Sequence, residues 1–494
     1  MVFFAVVLLT IGLIHFYLWK RLVRDPLRPG LGRRAGTVLA VVLFALVPAT
    51  LIGVRAGYFQ WLSWPGYLWV ALMFYLLVTL LVLEIPRLLT LRLWAGSSRT
   101  ANDVPTDGSP AVREPGTAKD VPTDGSPAVR GPGTAKDVPT DGSPAVREAG
   151  TATAVTAAAA PASIVRAGKD GALAQPAAGG VSRAADTGLG GSVPPVTGAA
   201  GGTPGASDGG ADGASADSEK RGIERRLLIA RGTAIFAGLT AAGITGYGVK
   251  TATGAPQIDR VRIPIAKLPR AMDGTRLAVV SDIHIGPLTG VDHARRIVRV
   301  INSVNADLVC VVGDLVDGSV AELGRFAAPL AGIESRHGAF FVTGNHEYYS
   351  GAEEWIDEVA RLGIRPLRNE RVEINGLDLA GVNDLTGEQQ GDAPDFARAL
   401  GDRDTNRPVV LMAHQPVAAR EAAPYGVDLQ VSGHTHGGQM APFNMLVKLQ
   451  QPVVSGFGEV DGVPVYVTNG AGFWGPPVRV GAPPQVTVIE LRVA

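Results

Sequence analysis

Val431-Ser432-Gly433-His434-Thr435-His436-Gly437-Gly438-Gln439 places two histidines at the end of a short apolar run and closes on a glycine pair. In an extended backbone, residues i and i+2 point to the same side, so His434 and His436 are expected to face one site together. The same arrangement recurs upstream. Asp282-Ile283-His284, Gly313-Asp314, Gly344-Asn345-His346-Glu347 and His414 each follow a short apolar run at its carboxyl end. In open α/β sheets ligands bind outside the carboxyl ends of the strands, which is where all of these groups fall.

The apolar runs themselves read as buried strands: 277–280, 308–312, 339–342, 409–412, 429–431, 465–467 and 486–489. Helix-like stretches at 291–304, 320–333 and 352–362 lie between several of them. Residues 255–494 therefore read as one mixed α/β domain, large enough to bury its own core. The single cysteine, Cys310, sits inside the 308–312 run. It excludes an internal disulfide and is expected to pack in the core.

The amino-terminal half follows different rules. Met1 to Trp19 is nearly all apolar, and a bilayer crossing needs about 20 such residues. Its basic residues, Lys20, Arg21 and Arg24, follow the run instead of preceding it, which argues against a cleaved signal peptide. Further spans are expected at 37–54 and 67–83, with Trp61, Trp64, Tyr67 and Trp69 as an interfacial belt at the turn between them. His15 is expected as an interfacial side chain near the end of the first span.

The positive-inside rule puts the basic loop after span one in the cytoplasm, and Arg87, Arg92 and Arg99 after span three agree. From Ala95 to Ile235 there is no Phe, Trp or Tyr, and a unit of 17 residues beginning Asp-Val-Pro-Thr-Asp-Gly-Ser-Pro occurs three times between Asp103 and Thr153. Such a segment buries too little apolar surface to offset its ordering entropy.

Order resumes with Arg225 and Arg226 before an uncharged stretch, 232–249, in which Gly238, Ala242 and Gly246 form a small-residue stripe suited to helix packing. The organisation expected is thus a membrane domain at 1–94 with three helices, a disordered linker at 95–222, a fourth helix or signal-anchor at 223–254, and the α/β domain at 255–494. Counting crossings places that last domain outside the cytoplasm, in a multi-pass protein of the cell membrane.

Asp282, His284, Asp314, Asn345, His414, His434 and His436 offer imidazole and oxygen donors together, a mixture that suits Mn, Fe or Zn better than Ca or Mg. Seven donors exceed what one tetrahedral ion needs. Two divalent ions sharing Asp314 fit better, and with a hydroxide between them the pocket keeps a charge of about +1, which welcomes a phosphate. His346 lies beside these donors and is expected either to protonate a departing oxygen or to stabilise equatorial charge. Lys+Arg and Asp+Glu both number 45, so nothing in the balance points to nucleic acid.

The ordered set Asp-x-His, Gly-Asp, Gly-Asn-His-Glu, a single His and Gly-His-Thr-His resembles the calcineurin-like metallophosphoesterase superfamily. With Gly470-Ala471-Gly472 and Pro477-Val478-Arg479 after it, the chain is similar to the bacterial membrane-associated branch, some of whose members cleave the pyrophosphate of a nucleotide-linked lipid sugar. The resemblance covers residues from about 257 onward. It implies a four-layer αββα sandwich in which Asp282, His284 and His436 hold one ion, Asn345, His414 and His434 hold the other, Asp314 bridges and His346 acts in catalysis.

The function so implied is hydrolysis of a phosphodiester or pyrophosphate of a lipid-linked or cell-envelope substrate, by attack of hydroxide held between the ions. A phosphomonoesterase and an inactive membrane scaffold are the alternatives. Arg479 is expected to meet a second phosphate or a lipid head group, or else to form a surface salt bridge; Asp384 is expected to line the substrate pocket, Asp317 to sit behind the ligands, and His293 and His337 to be surface groups. The apolar segment 442–447 is expected either to dip toward the membrane or to pack under its loop.

Overall fold

The computed structural model describes residues 2–97 and 210–494, so the triplicate repeat and Arg99 lie outside the described residues, as do the side chains of Arg87 and Arg92. Helices α1 (Val2–Trp19), α2 (Leu31–Arg55), α3 (Ser63–Ser97) and α4 (Gly210–Thr253) are each long and apolar enough to cross a bilayer. Leu9, Leu13, Val38, Val41 and Leu239 stand exposed on them, as lipid-facing side chains do. Helix α2 starts at Leu31 and takes Arg33 and Arg34 into its first turns. Helix α4 starts at Gly210, inside the stretch whose composition reads as unstructured; its Ala, Glu, Lys and Arg residues all favour helix.

Three expectations about these helices are corrected by their packing. His15 is 7% exposed and sits among three helices, its Nδ1 2.9 Å from the Ile11 carbonyl and its Nε2 accepting from the Trp69 indole at 3.1 Å. It is an internal polar link, and Trp69 points inward with it instead of joining the interfacial belt. The small-residue stripe of α4 is one register off the expected one. Ala237 and Ala241, both 0% exposed, face α3, while Gly238 and Gly246 have open space beside them.

Past α4 the chain builds two six-stranded sheets. The first contains β1 (Gln257–Ile265), β2 (Arg276–Val280), β3 (Leu308–Val312), β4 (Ala339–Val342) and β5 (Arg365–Pro366). The second contains β6 (Glu370–Ile374), β7 (Leu377–Gly381), β8 (Val409–Met412), β9 (Leu429–Ser432), β10 (Gly456–Val460) and β11 (Val463–Val467). Strand β12 (Gln485–Val493) then returns to the first sheet. The orders are β1-β12-β2-β3-β4-β5 and β10-β11-β9-β8-β7-β6. β2, β3 and β4 are mutually parallel, as are β7, β8, β9 and β11, so their carboxyl ends open on one side of each sheet.

Side-chain alternation then makes four layers. Leu277 and Val279 of β2, Leu308, Cys310 and Val312 of β3, Val410 and Met412 of β8 and Val431 of β9 fill the space between the sheets. The intervening Ala278, Val280, Val309 and Val311 meet Ile297 and Ile301 of α5 (Val291–Ser303), Leu323 of α6 (Val320–Ala327), and Trp355 and Val359 of a helix at Ala352–Arg361. On the far side, Leu411 and Val465 pack against Phe396 and Leu400. The αββα sandwich follows from this burial, and truncating one such core Leu to Ala costs about 2–5 kcal/mol.

Every expected strand is present. The helix expected at 320–333 ends at Ala327 and tightens to a 3₁₀ segment through Gly332, because Pro329 lacks the N–H that would continue it.

Candidate metal centre

The loops leaving β2, β3, β4, β8 and β9 carry the functional side chains, and their backbones are unusual. Asp282, His284, Asp314, His434 and His436 all have left-handed φ, between 49° and 70°. For residues with a Cβ this costs on the order of 1–3 kcal/mol each and persists only where the surroundings over-determine it. His434 and His436 therefore do not converge by strand alternation. Each leaves a left-handed turn and points its ring into a different cluster. Gly313 lets the loops close on one another: a Cβ there would lie 2.6 Å from the backbone of Gly344 and 2.7 Å from His414 Nδ1.

Two donor clusters result. In the first, His284 Nε2 lies 3.0 Å from His436 Nε2, which lies 3.3 Å from Asp282 Oδ1. In the second, His434 Nδ1 lies 3.0 Å from Asn345 Oδ1 and 3.3 Å from His414 Nε2, which is 3.1 Å from Asp314 Oδ2. Asp314 Oδ2 is also 3.9 Å from His284 Nε2, so it stands between the clusters.

Lone pairs facing each other at these spacings repel unless a cation lies among them. Four to six ligands about 2.1 Å from an ion are themselves about 3.0–3.4 Å apart. Donor identities, with the 3.0–3.3 Å spacings inside each cluster, fit divalent cations, and three His/Asp groups bring their ligand atoms within 4.8 Å of one another: Asp282-His284-His436, His284-Asp314-His346 and Asp314-His414-His434.

Behind the donors lies a set of braces. Asp317 Oδ1 bonds His284 Nδ1 at 2.8 Å and His346 Nδ1 at 2.7 Å, holding both rings by the nitrogen that faces away from the pocket. The Val312 carbonyl does the same for His414 Nδ1 at 2.8 Å. Ser281 bonds Asp282, and His434 N–H donates to Asp282 Oδ1 and Oδ2 at 3.1 and 3.0 Å.

Glu347 had no role in the sequence reading, yet it is fully buried and accepts from the N–H groups of Asp314, Leu315 and Gly344 at 2.9, 2.7 and 2.6 Å. Its signal was positional. It is the third residue of a short helix, Asn345–Ser350, where a Glu reaches back to free N–H groups.

Electrostatics follow from this crowding. Burial opposes a charge on His346, but Asp314 and Asp317 outweigh it and raise the imidazole to about 9. Burial, with Asp314 adding to it, lifts the Glu347 carboxyl to about 7. Burial, with His414 adding to it, pushes His434 down to about 3. His434 is thereby kept neutral, the form that ligates.

Three further residues differ from expectation. Arg479 is 0% exposed and cannot meet substrate. Its guanidinium donates to the carbonyls of His436 (2.7 Å), Asn469 (2.9 Å) and Gly472 (3.0 Å) and to His436 Nδ1 (3.0 Å), so it is a brace. Asp384 is 2% exposed and is used up by the Gln415 amide at 3.0 and 3.1 Å and the Thr386 N–H at 2.8 Å. His293 is buried at 3% instead of lying on the surface, because α5 turns it toward Phe473 with the rest of its apolar face. His337 is exposed as expected.

Residues 275–438, which hold all of these donors, match the model of the calcineurin-like phosphoesterase family. An uncharacterised metallophosphoesterase of Aquifex aeolicus is 36% identical over 243 residues, covering 48% of this chain and 92% of that protein. The chain belongs to the calcineurin-like metallophosphoesterases.

This metallophosphoesterase is also 36% identical over 274 residues to a Danio rerio protein named transmembrane protein with metallophosphoesterase domain, covering 53% of this chain and 63% of that one. An uncharacterised metallophosphoesterase of Helicobacter pylori (strain J99 / ATCC 700824) is 38% identical over 239 residues, with 48% and 64% covered. The match thus spans just under two thirds of the length of these last two relatives.

Proposed function

We propose that this metallophosphoesterase is a multi-pass membrane enzyme that hydrolyses a phosphodiester or pyrophosphate bond of a lipid-linked or cell-envelope substrate. One observation carries the reading: two donor clusters flank a single carboxylate, Asp314, whose Oδ2 lies 3.1 Å from His414 Nε2 of one and 3.9 Å from His284 Nε2 of the other. Asp282, His284 and His436 would hold one divalent cation and Asn345, His414 and His434 the other, with Mn, Fe or Zn suited to the donor set. Cations so held supply Lewis acidity toward a phosphoryl oxygen and make water acidic enough to attack near neutral pH.

The chain's own groups do the rest. His346 is the imidazole beside the clusters whose Nδ1 is already committed to Asp317, so its Nε2 is free to hand a proton to the departing oxygen. The neighbouring carboxylates of Asp314 and Asp317 favour its protonated form.

The membrane arrangement supports an outward-facing site. A side chain on Gly475 would lie 3.6 Å from the Tyr67 ring, at the start of α3, so the turn between α2 and α3 sits on the catalytic domain's side of the bilayer. An even number of crossings, α3 and α4, separates that turn from the domain, as the same side requires. With the basic loop after α1 inside, that side is outside.

Purified full-length protein in detergent, given Mn, is expected to hydrolyse an aryl phosphodiester and to lose the activity to a chelator. Metal-replete protein inert on every mono- and diester tried would contradict the reading. Faster turnover of monoesters than diesters would favour a phosphomonoesterase.

A further inference from the structure

A band of exposed apolar side chains follows the loop that leaves His436 and comes beside the metal centre at Trp474. Gly437 and Gly438 turn the chain out of the centre with φ of 61° and 82°. A Cβ on Gly438 would run into Asn444, so the segment that begins at Met440 is pressed against the ligand loop. Met440 itself is buried in the cluster formed by Ala71, Tyr75, Ala237 and Ala241 of the membrane helices, and Val478 joins it there.

Beyond Met440 the side chains turn outward. Phe443 is 47% exposed, Met445 68%, Leu446 56% and Leu449 80%, with Lys448 exposed among them.

Trp474, 55% exposed, continues the band to the centre itself. Gln439 grips its backbone twice, donating to the Trp474 carbonyl at 2.8 Å and accepting from its N–H at 3.0 Å, and the indole lies 6.1 Å from the His346 ring. The next residue, Gly475, is the one that meets Tyr67 of α3. Tyr58, Trp61 and Trp64, on the same turn as Tyr67, are 80%, 73% and 41% exposed, which marks that turn as an interfacial girdle.

Large apolar side chains in this number on one loop call for a cover. Continuity decides which. The loop after His436 is rooted in the membrane-helix core at Met440 and, through Gln439, holds the loop of Trp474, whose next residue Gly475 meets Tyr67; a lysine among apolar residues suits a lipid interface with anionic headgroups. We infer that Phe443, Met445, Leu446, Leu449 and Trp474 insert into the lipid surface beside α3 and α4, so that the metal centre opens onto that surface and draws its phosphate substrate from it. The insertion stands on geometry alone; the substrate half rests on the proposed phosphoesterase reading.

The test places the full chain in phosphatidylcholine–phosphatidylglycerol vesicles and attaches a fluorescent label through Met445→Cys or Leu449→Cys, which the fully buried Cys310 leaves uncontested. Lipid with brominated acyl chains is expected to quench both labels to within about twofold of a label at Leu39→Cys, on the lipid face of α2, and aqueous iodide to quench them far less than one at His337→Cys, before β4 at the other end of its strand. Iodide quenching equal to that at His337→Cys overturns the inference. So does shielding from both quenchers, which would mean a protein cover such as a second copy.

With both Met445 and Leu449 changed to Ser, turnover of a soluble aryl phosphodiester is expected to stay within about twofold while turnover of a vesicle-borne phosphodiester falls about tenfold. Equal loss on both overturns the substrate half. No turnover by the unaltered chain defeats the phosphoesterase reading alone, and the quenching still decides the insertion.

Discussion

The two donor clusters that meet at Asp314 are held from behind by different means. Asp282, His284 and His436 lean on charged groups: Asp317 bonds His284 Nδ1, and the buried guanidinium of Arg479 bonds the ring and carbonyl of His436. His414 leans on a backbone carbonyl, that of Val312 at the end of β3, and Asn345 starts the helix that Glu347 pins to the loop after β3. The first cluster is also wired to the membrane, because the Arg479 N–H donates to the Gly248 carbonyl of α4 at 3.0 Å. One donor cluster is thus set by the sandwich, and the other by the sandwich together with a membrane helix.

The strongest way to break this comparison is to remove what the clusters share. Asp314→Ala is expected to lower phosphodiester turnover by about 10³-fold or more and to weaken metal binding in both clusters, read by turnover and by metal content after dialysis. A variant that kept either cluster at full occupancy would show that Asp314 is not common to them.

Removing the charged brace comes next. Arg479→Met leaves the buried carbonyls of Asn469 and Gly472 without a donor and takes one of two donors from that of His436; each group left unpaired costs about 1–3 kcal/mol, so thermal unfolding is expected several degrees lower. Because burial already lowers this arginine to about 9, Arg479→Lys fares little better: a single ammonium cannot fan out to so many carbonyls.

Asp317→Asn has a smaller and more selective effect. Loss of the carboxylate behind His284 is expected to weaken metal binding in the first cluster by about 10–100-fold and leave the second within about twofold. Equal weakening of both, measured by competition with a chromogenic chelator, would erase the difference drawn here.

His293 gives the baseline of a buried imidazole that belongs to neither donor cluster. Burial, with Arg296 adding to it, lowers it to about 4, and its Nε2 has no partner among the described residues. The unfolded chain takes up a proton near pH 6.5 that the folded chain refuses until near 4. Stability is therefore steady above 6.5 and falls as pH drops through that window, by up to about 3 kcal/mol. His293→Gln, compared with the unaltered chain after both are stripped of metal, is expected to flatten this acid limb. Unchanged curves would show the ring to be solvated.

How much of this was legible in the sequence depends on how local the cause is. Strands 308–312 and 409–412 show as continuous apolar runs because both faces of each are buried, and the donors show because each sits at the end of such a run. β1 and β6 hid because most of their residues are exposed or half-buried at sheet edges. The ring directions of His434 and His436 were not legible, since left-handed turns held by distant loops set them. Arg479 looked like a phosphate ligand because sequence reveals a charge but not the four carbonyl-bearing residues that enclose it, Asn469, Gly472, His436 and Ala482. The stripe on α4 was off by one residue because only contact with α3 fixes which side of an apolar helix faces inward.

The most direct test of the central claim is metal content by mass spectrometry of the full chain purified in detergent, beside His436→Ala and His414→Ala. The account predicts about two divalent ions per chain for the unaltered protein and about one for each variant, with the remaining ion in the untouched cluster. A single ion in the unaltered chain, or variants that keep its full complement, would contradict it.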